Sequence, residues 1–364
     1  MKWLRVTAGL VVLLVAGAAL GSGGSGTDSV RQRYLSDANA LRTIARFGKS
    51  RKVTVRSLGD PSVVHADPRW LVAARPLGAE APQWALRMYR RSLLVLHALS
   101  DWRTGAVIAG AREGWAYVWP RDAGTVAMAL AAAGYRGEAR RTVDFLRELD
   151  LGAAARFHGD GTPVDGRAAQ GDAAGWIAAA SDAAKFASAP AERSWRGLAD
   201  YQESGDGDFL ANAIASGAPD IRALFKTPSG ALARRANDPA SGLDSAAAWA
   251  VRPFPHPSLY RLVRRTLLQL AAGSSRFGIL PSENWGGGDD PWTAPTAWTA
   301  WSLAALGERS AALRLMVELR RAATPAGMLP ERVDAHTGIP TSTTPLAWSH
   351  AFAILALRQL WPAD

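Results

Sequence analysis

The sequence predicts an all-α fold in which six helical hairpins close into a ring, an (α/α)6 toroid, preceded by a short N-terminal arm. From residue 83 onward, helical stretches alternate with Gly or Pro breaks, and no run of alternating strands could build a sheet. The C-terminal part also repeats itself at an offset of about 50 residues, the length of two helices with their connections. Six such pairs need about 300 residues, which fits the chain after the arm.

The N-terminus carries the pattern of a targeting segment. Lys2 and Arg5 precede an uncharged apolar run at residues 6–20, and Gly and Ser then dominate. The run is shorter than the about 20 residues of a membrane span, and residues 16–18 are small enough for a cleavage site. We expect a signal peptide over residues 1–26 and a secreted or cell-envelope location. If the segment is not cleaved, it would anchor the chain in the membrane.

Residues 27–82 are predicted as the arm, and residues 83–364 as the ring domain that carries catalysis. The arm holds a polar helix candidate at 30–47, a β-like patch at 53–55 and a loop punctuated by Pro. The ring helices are predicted at residues 86–99, 123–133, 137–149, 173–187, 208–215, 245–251, 259–272, 295–306, 310–322 and 346–360.

The internal repeat indicates how these helices are arranged. The sequence FGILP at 277–281 is echoed by AGMLP at 326–330, and a hairpin broken at Gly134 resembles another broken at Gly307. Closing such pairs into a ring buries the inner helices and gathers the long connections on one face. Because the motifs described below lie in the long connections, a site is predicted there.

Composition narrows the classes of function. The chain has 15 Trp against 6 Tyr and 9 Phe, and a flat apolar ring with one N–H donor suits a sugar, although most of these Trp are expected in the core. The net charge of +10 comes mainly from Arg, without a dense basic run, which argues against a nucleic-acid partner and favours a solvated surface or attraction to anionic envelope polymers. The absence of Cys excludes disulfides, a thiol nucleophile and Cys-bound zinc.

The first chemical motif stands directly before a predicted helix, where residues 117–122 read YVWPRD. Asp122 could serve the helix as an N-cap or first-turn acid. Alternatively, Arg121 and Asp122 point into the pocket as donor and acceptor for sugar hydroxyls. The block resembles the Trp-Pro-Arg-Asp signature of the glucoamylase family, glycoside hydrolase family fifteen. That resemblance implies that Arg121 and Asp122 hold the terminal sugar, beside Tyr117 and Trp119.

The C-terminal motif gives a candidate catalytic base. The loop GMLPERVD at 327–334 and the helix start PLAWSH at 345–350 closely resemble the same family's catalytic block. The resemblance implies that Glu331 activates water and that Trp348 lies at the substrate. The alternative is an exposed loop Glu331 paired with its neighbour Arg332. For His350 we expect only hydrogen bonding within the loop.

A candidate acid is harder to assign. Hydrolysis with inversion needs two carboxyl groups about 6.5–9.5 Å apart, one of them protonated. Tyr201-Gln202-Glu203 resembles the family's Tyr-Trp-Glu pattern with its Trp replaced, which implies Glu203 as the acid. Glu283 is the rival, because it follows a Leu-Pro pair like the one before Glu331.

Two further segments complete the resemblance. The sequence WGGGDDPW at 285–292 resembles the family's aromatic residue, Gly-rich turn and Pro-Trp pair, which implies that Trp285 and Trp292 bind the sugar. The Arg-Tyr-Pro run that many members carry upstream is missing here, with Arg276 displaced. Asp172 and Asp244 each precede a predicted helix and are expected as caps; for Asp172, contact with the substrate is the alternative.

These features together predict an inverting exo-acting hydrolase that releases terminal α-linked glucose from an oligosaccharide or disaccharide, without metal or organic cofactor. The linkage, which could be α-1,4, α-1,6 or that of trehalose, and the oligomeric state stay open. A catalytically degenerate sugar-binding relative in the envelope is the alternative, favoured by the altered acid motif. Other toroid enzymes fit less well, because a zinc cyclase needs Cys, a terpene cyclase needs an Asp-rich motif, and no lyase site can be assembled.

Overall fold

A computed structural model describes residues 43–46, 54–57, 68–110, 114–186, 194–203, 205 and 207–363. The predicted signal peptide and most of the arm lie outside these residues. Within the arm, strand β1 (Thr43–Arg46) pairs antiparallel with β2 (Thr54–Ser57). The helix predicted at 30–47 is therefore wrong at residues 43–46, where β-branched side chains favour extended backbone.

Eleven α-helices occur in the described residues. They are α1 (Pro68–Val72), α2 (Gln83–Ala98), α3 (Pro120–Ala132), α4 (Arg136–Arg147), α5 (Ala173–Ala183), α6 (Leu210–Ser216), α7 (Ile221–Phe225), α8 (Tyr260–Ala272), α9 (Thr293–Ala305), α10 (Arg309–Ala322) and α11 (Ala347–Leu360). Two 3₁₀ helices join them, and the longer one replaces the α-helix predicted at 245–251. They are Ser245–Ala250 and Pro257–Leu259.

Six segments form an inner ring. In order around it stand α3, α5, α6, the 3₁₀ helix Ser245–Ala250, α9 and α11, and α11 packs against α3 to close the circle. Outside them, α2 packs on α11, α4 on α3 and α5, α7 on α6, α8 on the 3₁₀ helix and α10 on α9. The predicted (α/α)6 toroid is confirmed by this inner ring of six segments with an outer layer of helices. Among the described residues, α5 and α6 follow each other without an outer helix between them.

Position in the ring explains the composition of its helices. Inner helix α9 is buried on all sides from Thr293 to Leu303, and its small residues allow neighbouring helices to approach. Outer helix α10 buries a single stripe, which includes Ala312, Leu315 and Leu319 at the helical spacing of three or four. The hydrophobic stripe of each outer helix therefore faces an inner helix, and its polar face meets solvent.

The repeated hairpins are also present. Gly134 joins α3 to α4 and Gly307 joins α9 to α10, both with left-handed backbone at φ of 99° and 84°. Glycine adopts this conformation without a steric penalty, so these breaks end the inner helices and return the chain along the outside.

Some elements were not predicted. Helices α1 and α7 are short, and a hairpin of strands β3 (Ala233–Arg235) and β4 (Asp238–Leu243) joins α7 to the 3₁₀ helix, so the chain is not free of strands. Its turn contains Asn237 at φ 56°, a conformation that Asn tolerates better than most residues.

Part of the predicted arm packs against the ring. The indole of Trp70 stacks on Tyr135 at 3.9 Å between ring centroids, and the N–H of Arg75 donates to the carbonyl of Ala133 at 2.7 Å. Within the described ranges, no helix has the length and apolar character needed to cross a bilayer.

The middle of the ring is filled by aromatic side chains, which we call the central aromatic cluster. It combines Trp176 of α5, Trp249 of the 3₁₀ helix, Trp298 of α9, Trp348 and Phe352 of α11, and Tyr201. Most of these rings meet edge to face, the arrangement that aromatic pairs prefer. The cluster closes the centre of the ring and forms the floor of the site described next.

Candidate active site

The inner helices begin on one face of the ring, and their first residues surround a cavity of about 230 Å³. Trp119, Trp292 and Leu346 occupy the N-cap positions of α3, α9 and α11, and all three line it. The floor includes Tyr201 and Trp348 of the central aromatic cluster. The predicted location of the site, among the long connections on one face, matches this cavity.

Eight of the nine predicted site residues line the cavity. They are Trp119, Arg121, Asp122, Glu203, Trp285, Trp292, Glu331 and Trp348. Tyr117 is not among the lining residues. Its ring contacts Trp119 and His158 edge-on, at 6.4 Å and 5.4 Å between centroids, so it contacts one wall of the cavity from outside.

The backbone of Glu331 is held between two neighbouring segments. Its N–H donates to the carbonyl of Thr343 at 2.9 Å, and its carbonyl accepts from the N–H of Thr293 at 3.0 Å. The side chain of Glu331 is 14% exposed, and its Oε2 accepts a hydrogen bond from the Ser342 hydroxyl. Glu331 is therefore a fixed and largely buried side chain. The expected ion pair with Arg332 is present, with 3.9 Å between Arg332 Nε and Glu331 Oε2, but Glu331 is not an exposed loop residue.

Burial raises the pKa of the Glu331 carboxyl above its ordinary value. The hydrogen bond from Ser342, the charge of Arg332, a hydrogen bond from Trp115 and the charge of Arg167 all act in the opposite direction. A carboxylate with a raised pKa is a stronger base than an exposed one. The environment therefore suits a group that accepts a proton from water.

Arg121 is buried beneath the cavity by a set of partners. Its Nη1 donates to Gln170 Oε1 and to Asp172 Oδ2, both at 2.9 Å, and its guanidinium lies 4.8 Å from the ring centroid of Trp348. Asp172 was predicted as a helix cap, but it makes no capping hydrogen bond; its Oδ2 instead accepts from Trp176 Nε1 at 3.1 Å. The reason is electrostatic, because a buried guanidinium requires a buried counter-charge.

Asp122 lies in the first turn of α3, and Trp119 rather than Asp122 holds the N-cap position. The pKa of Asp122 is raised to about 7. Burial is the main cause, the charge of Arg121 acts in the opposite direction, and the charge of Glu331 raises the pKa further. The two carboxyl groups thus interact across the cavity. At neutral pH Asp122 can act as either a donor or an acceptor of a hydrogen bond.

Glu203 occupies the outer part of the cavity. Its side chain is 36% exposed and forms an ion pair with Arg167 Nη1 through Oε2. The Arg167 guanidinium lies 5.7 Å from the Trp119 ring, and its charge lowers the pKa of Glu331. Arg167 therefore pairs with Glu203 directly and acts on Glu331 through its charge, a role that the sequence did not indicate.

The turn that carries Glu203 is held by buried charges. Asp200 is fully buried; its Oδ2 accepts from Arg234 Nη2 at 2.7 Å, and its Oδ1 accepts from the N–H of Gln202 at 3.0 Å. Tyr201 donates from its hydroxyl to Asp244 Oδ1 at 2.8 Å. This network fixes the backbone immediately before Glu203.

Asp244 caps its helix as predicted, accepting from the N–H of Ala246 at 2.7 Å. It also belongs to the buried network, since its Oδ2 lies 3.7 Å from Arg234 Nε. Burial raises the pKa of Asp244 to about 7, opposed by the charge of Arg234. The cap is therefore also a link between the 3₁₀ helix and the turn that carries Glu203.

Glu283, the rival acid, does not line the cavity. Its side chain is exposed, and its Oε2 accepts from the N–H of Leu243 at 3.0 Å. It therefore fastens strand β4 to the neighbouring loop. Arg276 is likewise absent from the cavity, with its guanidinium 5.1 Å from the ring of Phe277.

His350 is a structural residue. It is fully buried, its Nε2 accepts from the N–H of Leu329 at 2.9 Å and its Nδ1 pairs with the Ser92 hydroxyl at 2.9 Å. Burial lowers the pKa of His350 to about 3, so the ring is neutral at ordinary pH. As predicted, its hydrogen bonds hold the loop that precedes Glu331.

Several donors around the cavity have no hydrogen-bond acceptor among the described residues. They are Arg121 Nε, Arg332 Nε, Trp292 Nε1 and Trp348 Nε1, all buried and all on residues that line the cavity. Buried N–H groups normally have an acceptor. Together with the carboxyl groups of Asp122 and Glu331, they suit a ligand rich in hydroxyl oxygens, which accept and donate.

No group of three or more His, Asp or Glu side chains arranged to hold a metal ion occurs within the described part of the chain. Among the charged and aromatic lining residues, Trp115 and Arg167 belong to no motif identified in the sequence. Neither residue stands in a pattern that could have identified it from the sequence.

The chain is similar to known proteins in sequence over one segment. The sequence model of the glycosyl hydrolases family 15 matches residues 83–154, which contain α2, α3 and α4. Trp119, Arg121 and Asp122 of the cavity belong to this segment. No relative is found among the curated proteins.

Solved structures share the fold over most of the chain. A glycosidase variant in complex with glucose has 19% identity and a TM-score of 0.63, covering 81% of this chain and 98% of that one. A bacterial glucoamylase complexed with acarbose has 18% identity and a TM-score of 0.61, covering 80% and 57%. Glucoamylase from Saccharomycopsis fibuligera has 14% identity and a TM-score of 0.60, covering 78% and 96%. The fold is therefore that of glucoamylases.

Proposed function

We propose that this chain is a glycoside hydrolase that removes terminal α-linked glucose with inversion at the anomeric carbon. The observation that carries the proposal is the meeting of Glu331 and Glu203 at one cavity walled by tryptophans. Paired carboxyl groups flanking a sugar are the machinery of most glycoside hydrolases. The similarity of residues 83–154 to glycosyl hydrolases family 15 supports the same reaction class.

Each residue has a role in this proposal. Arg121 and Asp122 hold the hydroxyls of the terminal sugar, and the rings of Trp119 and Trp292 pack beside it. Glu331 accepts a proton from water as that water attacks the anomeric carbon. Glu203 donates a proton to the leaving oxygen, which requires Arg167 to release the carboxyl of Glu203 when the substrate binds.

Exo action is supported by the shape of the cavity. The central aromatic cluster, including Tyr201 and Trp348, closes its floor, so a sugar chain cannot pass through the ring. A glycosidase of the same fold binds glucose, which supports glucose as that sugar.

The test is hydrolysis of maltotetraose, isomaltose and trehalose, with the anomer of the released glucose followed by NMR. We expect β-glucose from the wild-type chain and identify the linkage from the substrate that is cut. In Glu331→Gln and Glu203→Gln, kcat should fall by about 10²–10⁴-fold, the usual contribution of general acid–base catalysis. Glu283→Gln is the matched control, because Glu283 is an exposed glutamate outside the cavity, and it should keep wild-type activity.

Three results would contradict parts of the proposal. Initial release of α-glucose from maltotetraose would exclude inversion, and so would release of α-glucose alone from trehalose, because inversion there gives one α- and one β-glucose. Loss of activity in Glu283→Gln but not in Glu203→Gln would move the acid to Glu283. Retention of activity in Glu331→Gln would remove its role as the base.

A second candidate is a sugar-binding protein of the cell envelope without hydrolytic activity. The ion pair between Glu203 and Arg167 favours it, because it engages the carboxyl that should deliver a proton. In that case no α-glucoside is hydrolysed, while glucose still binds and the Arg121→Gln substitution weakens binding.

A further inference from the structure

A second cavity lies apart from the active site, where α7, the turn after it and the start of α8 meet. Its volume is about 490 Å³, and no residue that lines it also lines the active-site cavity. Four of its side chains are cationic and none is acidic: Arg222, Lys226, Arg261 and Arg265. We call it the basic cavity.

The positive charge of the basic cavity is not neutralised by the protein. Residues 221–237 and 252–282 contain no Asp or Glu. None of the four cations forms an ion pair with a carboxylate in the described part of the chain, whereas neighbouring arginines do: Arg234 pairs with Asp200 and Arg264 with Glu308. The unpaired cations are thus concentrated in the concave part of this surface.

One wall of the basic cavity is held firmly. The N–H of Leu232 donates to Thr266 Oγ1 of α8 at 2.9 Å, which ties the turn to the helix. The Arg265 guanidinium donates to the carbonyl of Ser229, so this arginine is oriented by the turn itself. Arg261 lies one helical turn before Arg265 on the same face of α8, so both guanidinium groups reach the cavity.

We propose that the basic cavity binds a phosphate group, carried by a small sugar phosphate or by a polyol-phosphate polymer. Guanidinium groups match the oxygens of phosphate with two parallel hydrogen bonds, and a lysine ammonium adds a further point charge. A neutral sugar would leave four cations unpaired, whereas phosphate relieves their mutual repulsion. The inference does not depend on the proposed hydrolase activity.

The position of the basic cavity separates it from catalysis. Helix α7 follows the C-terminal end of inner helix α6, and α8 follows the end of the 3₁₀ helix. The basic cavity shares no lining residue with the active-site cavity, so the two sites are separate. A phosphate bound there leaves the active site free, so a phosphate polymer would tether the protein without blocking it.

The test is calorimetric titration of the full chain with glucose 6-phosphate and with poly(glycerol phosphate), with glucose and glycerol as neutral comparisons. The variant Arg261→Gln/Arg265→Gln should bind phosphate ligands at least about tenfold more weakly, since it removes two guanidinium donors. The control is Arg87→Gln/Arg90→Gln on exposed positions of α2, which changes the net charge equally. It should bind within about twofold of wild type. Thermal unfolding of both variants verifies that they are folded.

The outcomes separate the two sources of phosphate. Binding of both ligands supports recognition of the phosphate group itself, and binding of the polymer alone assigns the polymer as the source. Absence of binding to either, or an equal loss in the control variant, would overturn the proposal. Tighter binding of a single-stranded oligonucleotide with the same number of phosphates would also overturn it, because the partner would then be a nucleic acid.

Discussion

At the scale of single residues, the properties of Glu331 come from opposing local forces. Burial disfavours the charged carboxylate, while Ser342, Trp115 and two arginines favour it. The sequence identified the glutamate, but not the groups that set its proton affinity. Trp115 precedes Glu331 by more than two hundred residues, and only the closed ring brings them together.

The hydrogen bond from Ser342 leads to a prediction about pH dependence. This bond lowers the pKa of Glu331, so the Ser342→Ala variant should have a higher pKa there than wild type. A general base must be ionised, and activity is lost as pH falls through its pKa. The acid limb of the kcat/KM profile should therefore move to higher pH in Ser342→Ala, as measured with the preferred α-glucoside.

A matched control for this profile is Thr341→Ala. Thr341 lies in the same loop, but its hydroxyl donates to Asp290 Oδ2 at 2.6 Å. The acid limb of the kcat/KM profile of Thr341→Ala should coincide with that of wild type. An acid limb that stays in place in Ser342→Ala would show that Glu331 does not govern it.

Asp172 shows how a residue's role can differ from the one that its local sequence predicts. Its position before a helix is typical of a cap, and local sequence contains nothing else. Its actual partners are Arg121, from the preceding inner helix, and Trp176. The need to neutralise a buried guanidinium outweighed local capping, and that need arises only once Arg121 is buried.

At the scale of elements, the neighbouring inner helices α5 and α6 approach each other closely. Gly175 in α5 faces the backbone of Ala215 in α6, and a Cβ atom at position 175 would overlap the Ala215 carbonyl. The sequence AAGW does not distinguish this glycine from a surface one. Its close approach is a property of the packed pair.

Gly175→Ala should therefore lower the free energy of unfolding by about 1–3 kcal/mol, the usual cost of overpacking. Gly137→Ala is the matched control. Gly137 lies in outer helix α4, and the nearest atom to a Cβ there is Arg141 Nη1 at 3.8 Å. This change should stabilise the chain by about 0.4–1 kcal/mol, because alanine leaves the unfolded chain fewer conformations than glycine.

Urea unfolding followed by circular dichroism measures both changes. The free energy of unfolding should fall in Gly175→Ala and rise in Gly137→Ala. Two variants that shift in the same direction would contradict the close packing of α5 against α6.

At the scale of the whole molecule, the central aromatic cluster connects distant parts of the ring. Trp298 contacts Trp249, Trp348 and Phe352 at 5.2–5.4 Å between centroids. Its Nε1 donates to the carbonyl of Ser245 at 3.0 Å. One side chain of α9 thus joins α11 and the 3₁₀ helix.

Replacing Trp298 with alanine should lower the free energy of unfolding by about 3–5 kcal/mol, as expected for an aromatic side chain lost from a core. Trp102→Ala is the comparison, because Trp102 is 64% exposed, and it should change stability by less than about 0.5 kcal/mol. Denaturant unfolding monitored by fluorescence gives both values. If the two variants lost similar free energies of unfolding, the central aromatic cluster would not be a major source of stability.

Much of the architecture could be predicted from the sequence, because it depends on local signals. Glycine and proline breaks, helical spacing and a repeat of about 50 residues indicated the ring. Elements without a local signal were missed. Strand β1 and the β3–β4 hairpin are too short to show a periodic pattern, and tertiary contacts define them. The targeting segment and the domain boundaries stay predictions of the sequence.

The sequence by itself determined the class of fold and most of the cavity wall, since motifs at the starts of inner helices need only the ring to bring them together. The tertiary structure decided which carboxyl groups share that cavity. It placed Glu203 on the cavity beside Arg167 and left Glu283 on the surface. It also brought the four cations of the basic cavity together. Such groupings depend on burial and charge between residues far apart along the chain, and no local pattern records them.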